Sequence, residues 1–102
     1  MTDDELDRIF KAFGDPTRRR IIDSLSERPD QSLFEICARS VAESGAALSR
    51  QAVTQHLDLL EKAGLVRVKW SGRTKLHAFD PAPLREAVEL WLRKHLEKGN
   101  TE

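Results

Sequence analysis

The stretch LSRQAVTQHLDLLEKAGLV, residues 48–66, has the most informative pattern in this chain. At about 100° per residue it forms an amphipathic helix whose apolar face carries Val53, Leu57 and Leu60. Ser49 is a suitable N-cap for that helix. Most of its polar residues lie on the opposite face, concentrated in the first two turns. The pattern predicts a helix with one buried side and one side that displays hydrogen-bonding groups.

Three helices are predicted before this stretch, each from a local start signal. The signals are Thr2 with Glu5, Asp15 with Pro16, and Ser32 with Glu35. The first and third pairs have the spacing of capping boxes, and the second is an N-cap followed by proline at the first helical position. Glycine and proline place the ends of these helices at Gly14, at Pro29 and near Gly45.

The pattern changes after Gly64, where the fourth helix ends. Apolar and basic residues alternate from Val66 to Trp70, which predicts a strand. Ser71-Gly72 is predicted to form the turn, and Thr74 to Phe79 the returning strand. A fifth helix then runs from Asp80-Pro81 to Gly99. The predicted fold is a single domain over residues 1–102, mainly α with a β-hairpin wing, in the order α-α-α-α-β-β-α. This is a winged helix-turn-helix, formed by the third and fourth helices with the hairpin.

The total charge conceals a local excess of positive charge. The chain has 102 residues with 17 Lys/Arg and 17 Asp/Glu, but residues 44–79 hold six basic and two acidic residues, a balance of +4. Such a patch is typical of polyanion binding, although a solvated surface also explains it. A single cysteine allows no internal disulfide, and no apolar run is long enough to cross a membrane. We therefore expect a protein of the cytosol.

The polar face of the fourth helix has the side chains that read DNA in the major groove. The N-terminal residues of a recognition helix reach base edges: arginine suits guanine, glutamine suits adenine, and threonine contacts thymine. The candidate DNA-binding residues on this helix are Ser49, Arg50, Gln51, Thr54 and Gln55. The alternative is that Ser49 is only a cap and the other residues are ordinary solvated positions.

The hairpin and the second helix add candidate contacts to DNA. Arg73 at the predicted tip can enter a minor groove or bind phosphate, with Lys69 and Lys75 beside it. The alternative is a hairpin that only improves solubility. Arg19 is expected to point outward towards a phosphate. Trp70 is expected to pack the wing against the helices, because duplex DNA offers no unstacked bases.

The residues also resemble a known family. FKAFGDPTRRRIIDSL (10–25), LSRQAVTQHLDLLEKAGLV (48–66) and GRTKLHAF (72–79) are similar to the ArsR/SmtB family of bacterial winged-helix repressors, over nearly the whole chain. The resemblance implies a homodimeric, sequence-specific repressor that binds an inverted repeat in double-stranded DNA and is associated with the nucleoid when bound. His56 matches the family histidine, expected to be packed or hydrogen-bonded with a phosphate within reach.

The resemblance also implies dimerisation through the first and last helices. The fifth helix supports this independently, because it is apolar on more than one face. The residues predicted at the dimer interface are Leu6, Ile9, Phe10, Leu84, Val88, Trp91 and Leu92.

The sequence departs from the family at the metal site. Metal-sensing members carry a cysteine pair in the third helix, in the motif E-L-C-V-C. The corresponding segment here is EICAR. If Cys37 matches the first cysteine of the pair, Arg39 occupies the position of the second. We therefore expect no metal and no cofactor, and we identify no effector. Cys37 is predicted on the apolar side of the third helix, which favours an inert core cysteine over the alternative of a thiol switch.

The sequence bears on two other classes of function, an enzyme and a protein-binding module. No nucleophile–base spacing or phosphate loop indicates an enzyme. The neutral total charge and acidic ends leave a second alternative, a winged-helix module that binds another protein and makes little use of DNA.

Overall fold

A computed structural model of the chain describes residues 1–44 and 48–100. The helices are α1 (Asp3–Phe13), α2 (Pro16–Glu27), α3 (Leu33–Ser44), α4 (Arg50–Lys62), α5 (Ala82–Ala87) and α6 (Arg93–Asn100), and the strands are β1 (Val66–Ser71) and β2 (Thr74–Phe79). A short π-helical segment, Val88–Leu92, joins α5 to α6, and these three segments together are called the last helix. The predicted order α-α-α-α-β-β-α is confirmed. The predicted end of the third helix near Gly45 lies outside the described residues.

The predicted helix starts are confirmed by their hydrogen bonds. Glu5 N donates to Thr2 Oγ1 at 3.2 Å while Thr2 N donates to Glu5 Oε1 at 3.2 Å, which is a complete capping box. The same reciprocal pair links Ser32 and Glu35, at 3.1 and 3.2 Å. At the start of α2, Asp15 Oδ1 accepts from two backbone N–H groups, at 2.8 and 3.1 Å. These short-range bonds satisfy donors that the first turn of a helix leaves free.

The hydrophobic core lies between α4 and the helices packed around it. The three residues predicted on the inner face of α4, Val53, Leu57 and Leu60, are each at most 2% exposed. They pack with a cluster contributed by α1, α2, α3, β1 and the last helix, whose other buried members are Ile9, Ala12, Ile21, Leu25, Ile36, Ala63, Leu65, Val66 and Ala87. Because its apolar face is held in this core, α4 presents its opposite face to solvent.

The turn of the hairpin lies one residue later than the sequence predicts. Ser71 pairs with Thr74 in the antiparallel register, so the two-residue turn is Gly72-Arg73 and not Ser71-Gly72. Gly72 has φ +61°, whereas Arg73 has a negative φ, which corresponds to a type II′ turn. Glycine is needed at the first turn position, which lies in the left-handed region. Arg73 is therefore at the tip, as predicted.

A buried polar group attaches the hairpin to the helical body. Gln31 and His77 form an antiparallel bridge, with backbone N–H groups donating both ways at 3.1 and 2.8 Å. The Gln31 Nε2 group donates to the backbone oxygens of Ser24 and Arg28, at 3.1 and 2.8 Å, and thereby caps the end of α2. Both Gln31 and His77 are buried, at 0% and 3% exposure. No local pattern in the sequence predicts this contact, because it joins residues far apart in the chain.

Candidate nucleic-acid interface

The first two turns of α4 carry a continuous polar surface. Ser49 Oγ accepts from Ala52 N at 3.0 Å, which confirms the predicted N-cap. The exposed residues on this surface are Ser49, Arg50, Gln51, Thr54 and Gln55. No side-chain hydrogen bond or ion pair to the rest of the described chain occupies the last four of these residues. Their donors and acceptors are therefore free to bind a ligand, and we call them the recognition set.

The wing is less positive than the sequence indicates, because most of its basic residues are already paired. Lys69 Nζ lies 3.1 Å from Asp30 Oδ2, and Lys75 Nζ lies 3.4 Å from Glu61 Oε2. Arg67 donates to Asp80, and this hydrogen bond, followed by one from Ala82 N, lowers the pKa of the Asp80 carboxyl. Arg73 alone among the four wing cations has no acidic partner within the described residues.

The wing and the polar surface of α4, which we call the recognition surface, border one cleft, which we call the crease. This cleft of about 90 Å³ is lined by Thr54, Asp58 and Glu61 of α4, by Lys75 and His77 of β2, and by Leu33 and Leu57. Residues directly opposite in an antiparallel pair share a face of the sheet. The hairpin face that includes Lys75 and His77 is therefore turned towards α4.

Arg18 links the first two helices to α4. Its Nε donates to Ala12 O at 2.7 Å and its Nη2 to Lys11 O at 2.8 Å, at the C-terminal end of α1. Its Nη1 lies 3.1 Å from Nδ1 of His56 on α4. Because an arginine can only donate, this ring nitrogen of His56 is the acceptor. His56 is therefore half-buried and hydrogen-bonded, as expected from the sequence.

The side chains of Arg19 and His77 are both hydrogen-bonded within the protein. Arg19 is exposed as predicted, but its Nη1 donates to Phe13 O at 2.8 Å, so one of its donors is occupied. His77 lies on the wing but is buried, and its Nδ1 is 2.9 Å from the carbonyl oxygen of Gln31. The side chain of His77 therefore supports the fold and is not available to a ligand on the wing surface.

The expectation for Trp70 is wrong. Its side chain was expected to pack the wing against the helices, but it is 66% exposed. Trp70 pairs with Lys75, two positions nearer the turn than the pair formed by Val68 and His77. The hairpin extends beyond the helical body at this point, so Trp70 has no core to enter.

The predicted dimer residues occupy different environments. Leu6, Phe10, Leu84, Val88 and Leu92 are half-buried, and Trp91 is 41% exposed. Ile9 is 1% exposed and belongs to the core of the protomer, where a partner cannot reach it, which corrects its assignment to a dimer surface. Phe10 and Trp91 contact each other edge to face, with ring centroids 5.7 Å apart. Leu90 and Leu96, which were not predicted at the interface, are 53% and 67% exposed.

Cys37 and Arg39 occupy the positions where metal-sensing members of the resembled family carry a cysteine pair. Cys37 is half-buried, and Arg39 donates to Glu27 Oε2 at 3.2 Å. Among residues 1–44 and 48–100 no group of three or more His, Cys, Asp or Glu is arranged to hold a metal ion. No helix in this part of the chain is long and apolar enough to span a membrane.

Comparison with known proteins identifies related sequences. A family model described as a helix-turn-helix domain matches residues 13–69. The HTH-type transcriptional regulator YuzN of Bacillus subtilis is 42% identical over 86 residues, covering 84% of this chain and 94% of the relative. The transcriptional repressor SdpR of the same organism is 25% identical over 97 residues, covering 95% of this chain and 99% of the relative.

Solved structures of similar architecture extend this comparison to the whole chain. An ArsR-like transcriptional regulator from Rhodococcus sp. RHA1 is similar with a TM-score of 0.80 and 31% identity, covering 99% of this chain and 89% of that structure. The crystal structure of an ArsR family transcriptional regulator is similar with a TM-score of 0.80 and 27% identity, covering 100% of this chain and 97% of that structure.

Proposed function

This chain belongs to the ArsR family of winged helix-turn-helix transcriptional regulators, and from that premise we propose that it is a homodimeric repressor of an inverted-repeat operator. Each protomer inserts the N-terminal half of α4 into the major groove. The wing contacts the neighbouring backbone and minor groove. The protein acts in the bacterial cytosol, associated with the nucleoid when bound to DNA, and has no catalytic role.

The observation that carries this proposal is the exposed recognition set on a helix whose opposite face is fixed in the core. Val53, on that opposite face, is fully buried, so α4 cannot rotate without breaking the core. A rigid helix with free arginine, glutamine and threonine side chains in its first turns suits the direct reading of base edges. We assign base contacts to Arg50, Gln51, Thr54 and Gln55.

Contacts to phosphate hold α4 in register. Ser49 and the free N–H groups of the first turn of α4 favour a phosphate at that helix end. Arg73 contributes an unpaired guanidinium at the wing tip, and Arg19 keeps donors in addition to the one bound to Phe13. Lys75 has to leave Glu61 in order to reach DNA, so we expect it to contribute less than Arg73. His56, held by Arg18, is assigned a supporting role with a phosphate within reach.

Dimerisation gives the protein the symmetry of an inverted repeat. Leu90, Trp91 and Leu96 of the last helix are exposed apolar residues, and Trp91 contacts Phe10 of α1. Burying this surface against a second copy removes it from water. A two-fold dimer then presents its recognition helices to half-sites about one helical turn, roughly 10 base pairs, apart. Repression follows if this operator overlaps a promoter, as the name of the relative SdpR suggests for that protein.

The experiment that tests this proposal is fluorescence anisotropy on a labelled duplex taken from upstream of the gene, with a scrambled duplex at the same salt as control. We expect tighter binding to the upstream duplex, and loss of that preference in Gln51→Ala and Gln55→Ala. Ser26→Ala, at an exposed neutral position of α2 whose side chain has no hydrogen bond in the described chain, is the control for an unrelated surface change. Equal binding of the wild type to both duplexes contradicts the proposal.

A second candidate function is a module that binds another protein. The observation in its favour is that three of the four wing cations are already paired with acidic residues of the same chain. A pull-down from nuclease-treated lysate separates the two functions. A partner that persists in the charge-reversal variants Arg50→Glu and Arg73→Glu, in a protein that binds no duplex, favours the protein-binding module.

A further inference from the structure

Trp70 is a large apolar side chain that lies outside the hydrophobic core. It is 66% exposed, and its indole N–H has no hydrogen-bond partner among the described residues. The pairing Val66–Phe79, Val68–His77 and Trp70–Lys75 places these six residues on one face of the hairpin. Val66 and His77 of that face are buried against the body, whereas Trp70 extends beyond it.

This face of the hairpin looks towards the recognition surface. Lys75, directly opposite Trp70, reaches across to Glu61 on α4. Lys75 also lines the crease together with Thr54, a member of the recognition set. Trp70 is therefore on the side of the wing that faces whatever occupies the recognition surface.

The surroundings of Trp70 select a polyanion as its partner. Residues 62–79 include five Lys or Arg and no Asp or Glu. The tip residue Arg73 is exposed and unpaired within the described chain. Arg67, Lys69 and Lys75 are each paired with an acidic residue, so Arg73 is the wing cation left to attract an anion among the described residues. An apolar ring with one N–H donor beside this guanidinium suits a deoxyribose with its adjoining phosphate.

The distance of Trp70 from the tip of the hairpin determines which part of the DNA its ring contacts. Trp70 is two residues before Gly72, which is about 7 Å along a strand. The minor groove is about 7.5 Å deep. When the tip with Arg73 reaches into the groove, Trp70 is at the level of the sugar–phosphate wall and not of the bases.

We propose that Trp70 is a contact to the DNA backbone, with its indole packed on a deoxyribose and its N–H donating to a phosphate oxygen. This proposal rests on the DNA-binding function proposed above. The contact is largely apolar and independent of base sequence. It adds affinity and holds the wing at the edge of the groove, while the recognition set supplies the sequence preference.

The first test compares Trp70→Ala, Arg73→Ala and Ser71→Ala on a scrambled duplex over a series of salt concentrations. Because the contact is mainly apolar, Trp70→Ala should weaken binding about tenfold at every salt concentration. Its slope of log affinity against log salt should match that of the wild type, whereas the slope of Arg73→Ala falls by about 1. Ser71→Ala, on the opposite face of the hairpin, should bind as the wild type does. Unchanged affinity in Trp70→Ala, or a slope reduced as in Arg73→Ala, overturns the proposal.

The second test observes the indole directly. Acrylamide quenching of wild type and Trp70→Phe is measured with and without duplex, and the difference between the two proteins isolates Trp70 from Trp91. We expect the quenching of Trp70 to be lost when the duplex is added. If anisotropy shows that DNA is bound while Trp70 is quenched as before, this inference fails and the proposed function stands. If no duplex is bound at any salt concentration, both fail.

Discussion

Replacing Arg18 by alanine should destabilise the fold far more than the same change at either neighbouring arginine. Arg18, Arg19 and Arg20 are consecutive residues in the first turns of α2, so an alanine changes charge and helix propensity almost equally at all three. The three side chains differ in their contacts. Arg18 makes three hydrogen bonds to α1 and α4, Arg19 makes one exposed bond to Phe13 O, and Arg20 is exposed.

The magnitude follows from these contacts. The half-buried bonds of Arg18 to Ala12 O and to His56 contribute about 1 to 1.5 kcal/mol each, and the exposed bond to Lys11 O about 0.5 kcal/mol. Arg18→Ala should therefore lower the free energy of unfolding by about 3 kcal/mol. The exposed bond of Arg19 predicts a loss of about 0.5 kcal/mol, and Arg20→Ala should change stability by less than that.

The assay is urea denaturation followed by far-UV circular dichroism, at one fixed protein concentration because dimerisation is linked to stability. With a denaturant slope of about 1.5 kcal/mol/M, the midpoint of Arg18→Ala should fall by about 2 M urea. The midpoints of the other two variants should stay close to that of the wild type. If Arg18→Ala and Arg20→Ala unfold at the same urea concentration, the contacts of Arg18 add no net stability and the reasoning is refuted.

Three more predictions concern stability. Gln31→Ala should cost about 2 kcal/mol, because the carbonyls at the end of α2 lose their buried donor, and Gln31→Glu should cost more; both are read from urea midpoints. Asp80 has a folded-state pKa below its ordinary 3.8, so its stabilising effect is complete above that pH and is lost as the pH falls through the folded-state pKa. In Asp80→Asn, the plot of melting temperature against pH should therefore be flatter than that of the wild type in this acidic range. Gly64 and Gly72 both have positive φ, so an alanine at either position should be destabilising. Gly64→Ala should lower the free energy of unfolding by about 2 kcal/mol, because its new Cβ would also lie 3.2 Å from Pro83 Cγ. Gly72→Ala, with no such contact, should lower it by about 1 kcal/mol in the same denaturation assay.

The parts of this fold that could be predicted from the sequence depend on short-range chemistry. A capping box such as that of Thr2 and Glu5 joins residues three apart, so its hydrogen bonds can be predicted from spacing alone. The inner face of α4 was predictable because helical periodicity brings Val53, Leu57 and Leu60 together whatever surrounds them. The exposed positions of the recognition set follow from the same periodicity.

The features that the sequence could not provide depend on contacts between distant residues. Gln31 and His77 are 46 positions apart, and neither has a neighbour that marks it as buried. Lys75 and Lys69 look like free wing cations until the fold brings Glu61 and Asp30 beside them. Trp70 was misplaced for a related reason, because alternation along a strand gives the face of a residue but not where the covering helices end. The π-helical segment Val88–Leu92 likewise has no signature in the residues that form it.

The central claim is that the recognition set on α4 reads DNA sequence as part of a two-fold dimer. The most direct measurement is selection of bound duplexes from a random pool, sequenced in parallel for the wild type and for the double variant Thr54→Ala/Gln55→Ala. The wild type should enrich a two-fold symmetric motif with half-sites about 10 base pairs apart, and the double variant should lose or change bases within the half-sites. Enrichment of no motif by the wild type, or of the same motif by both proteins, would contradict the claim.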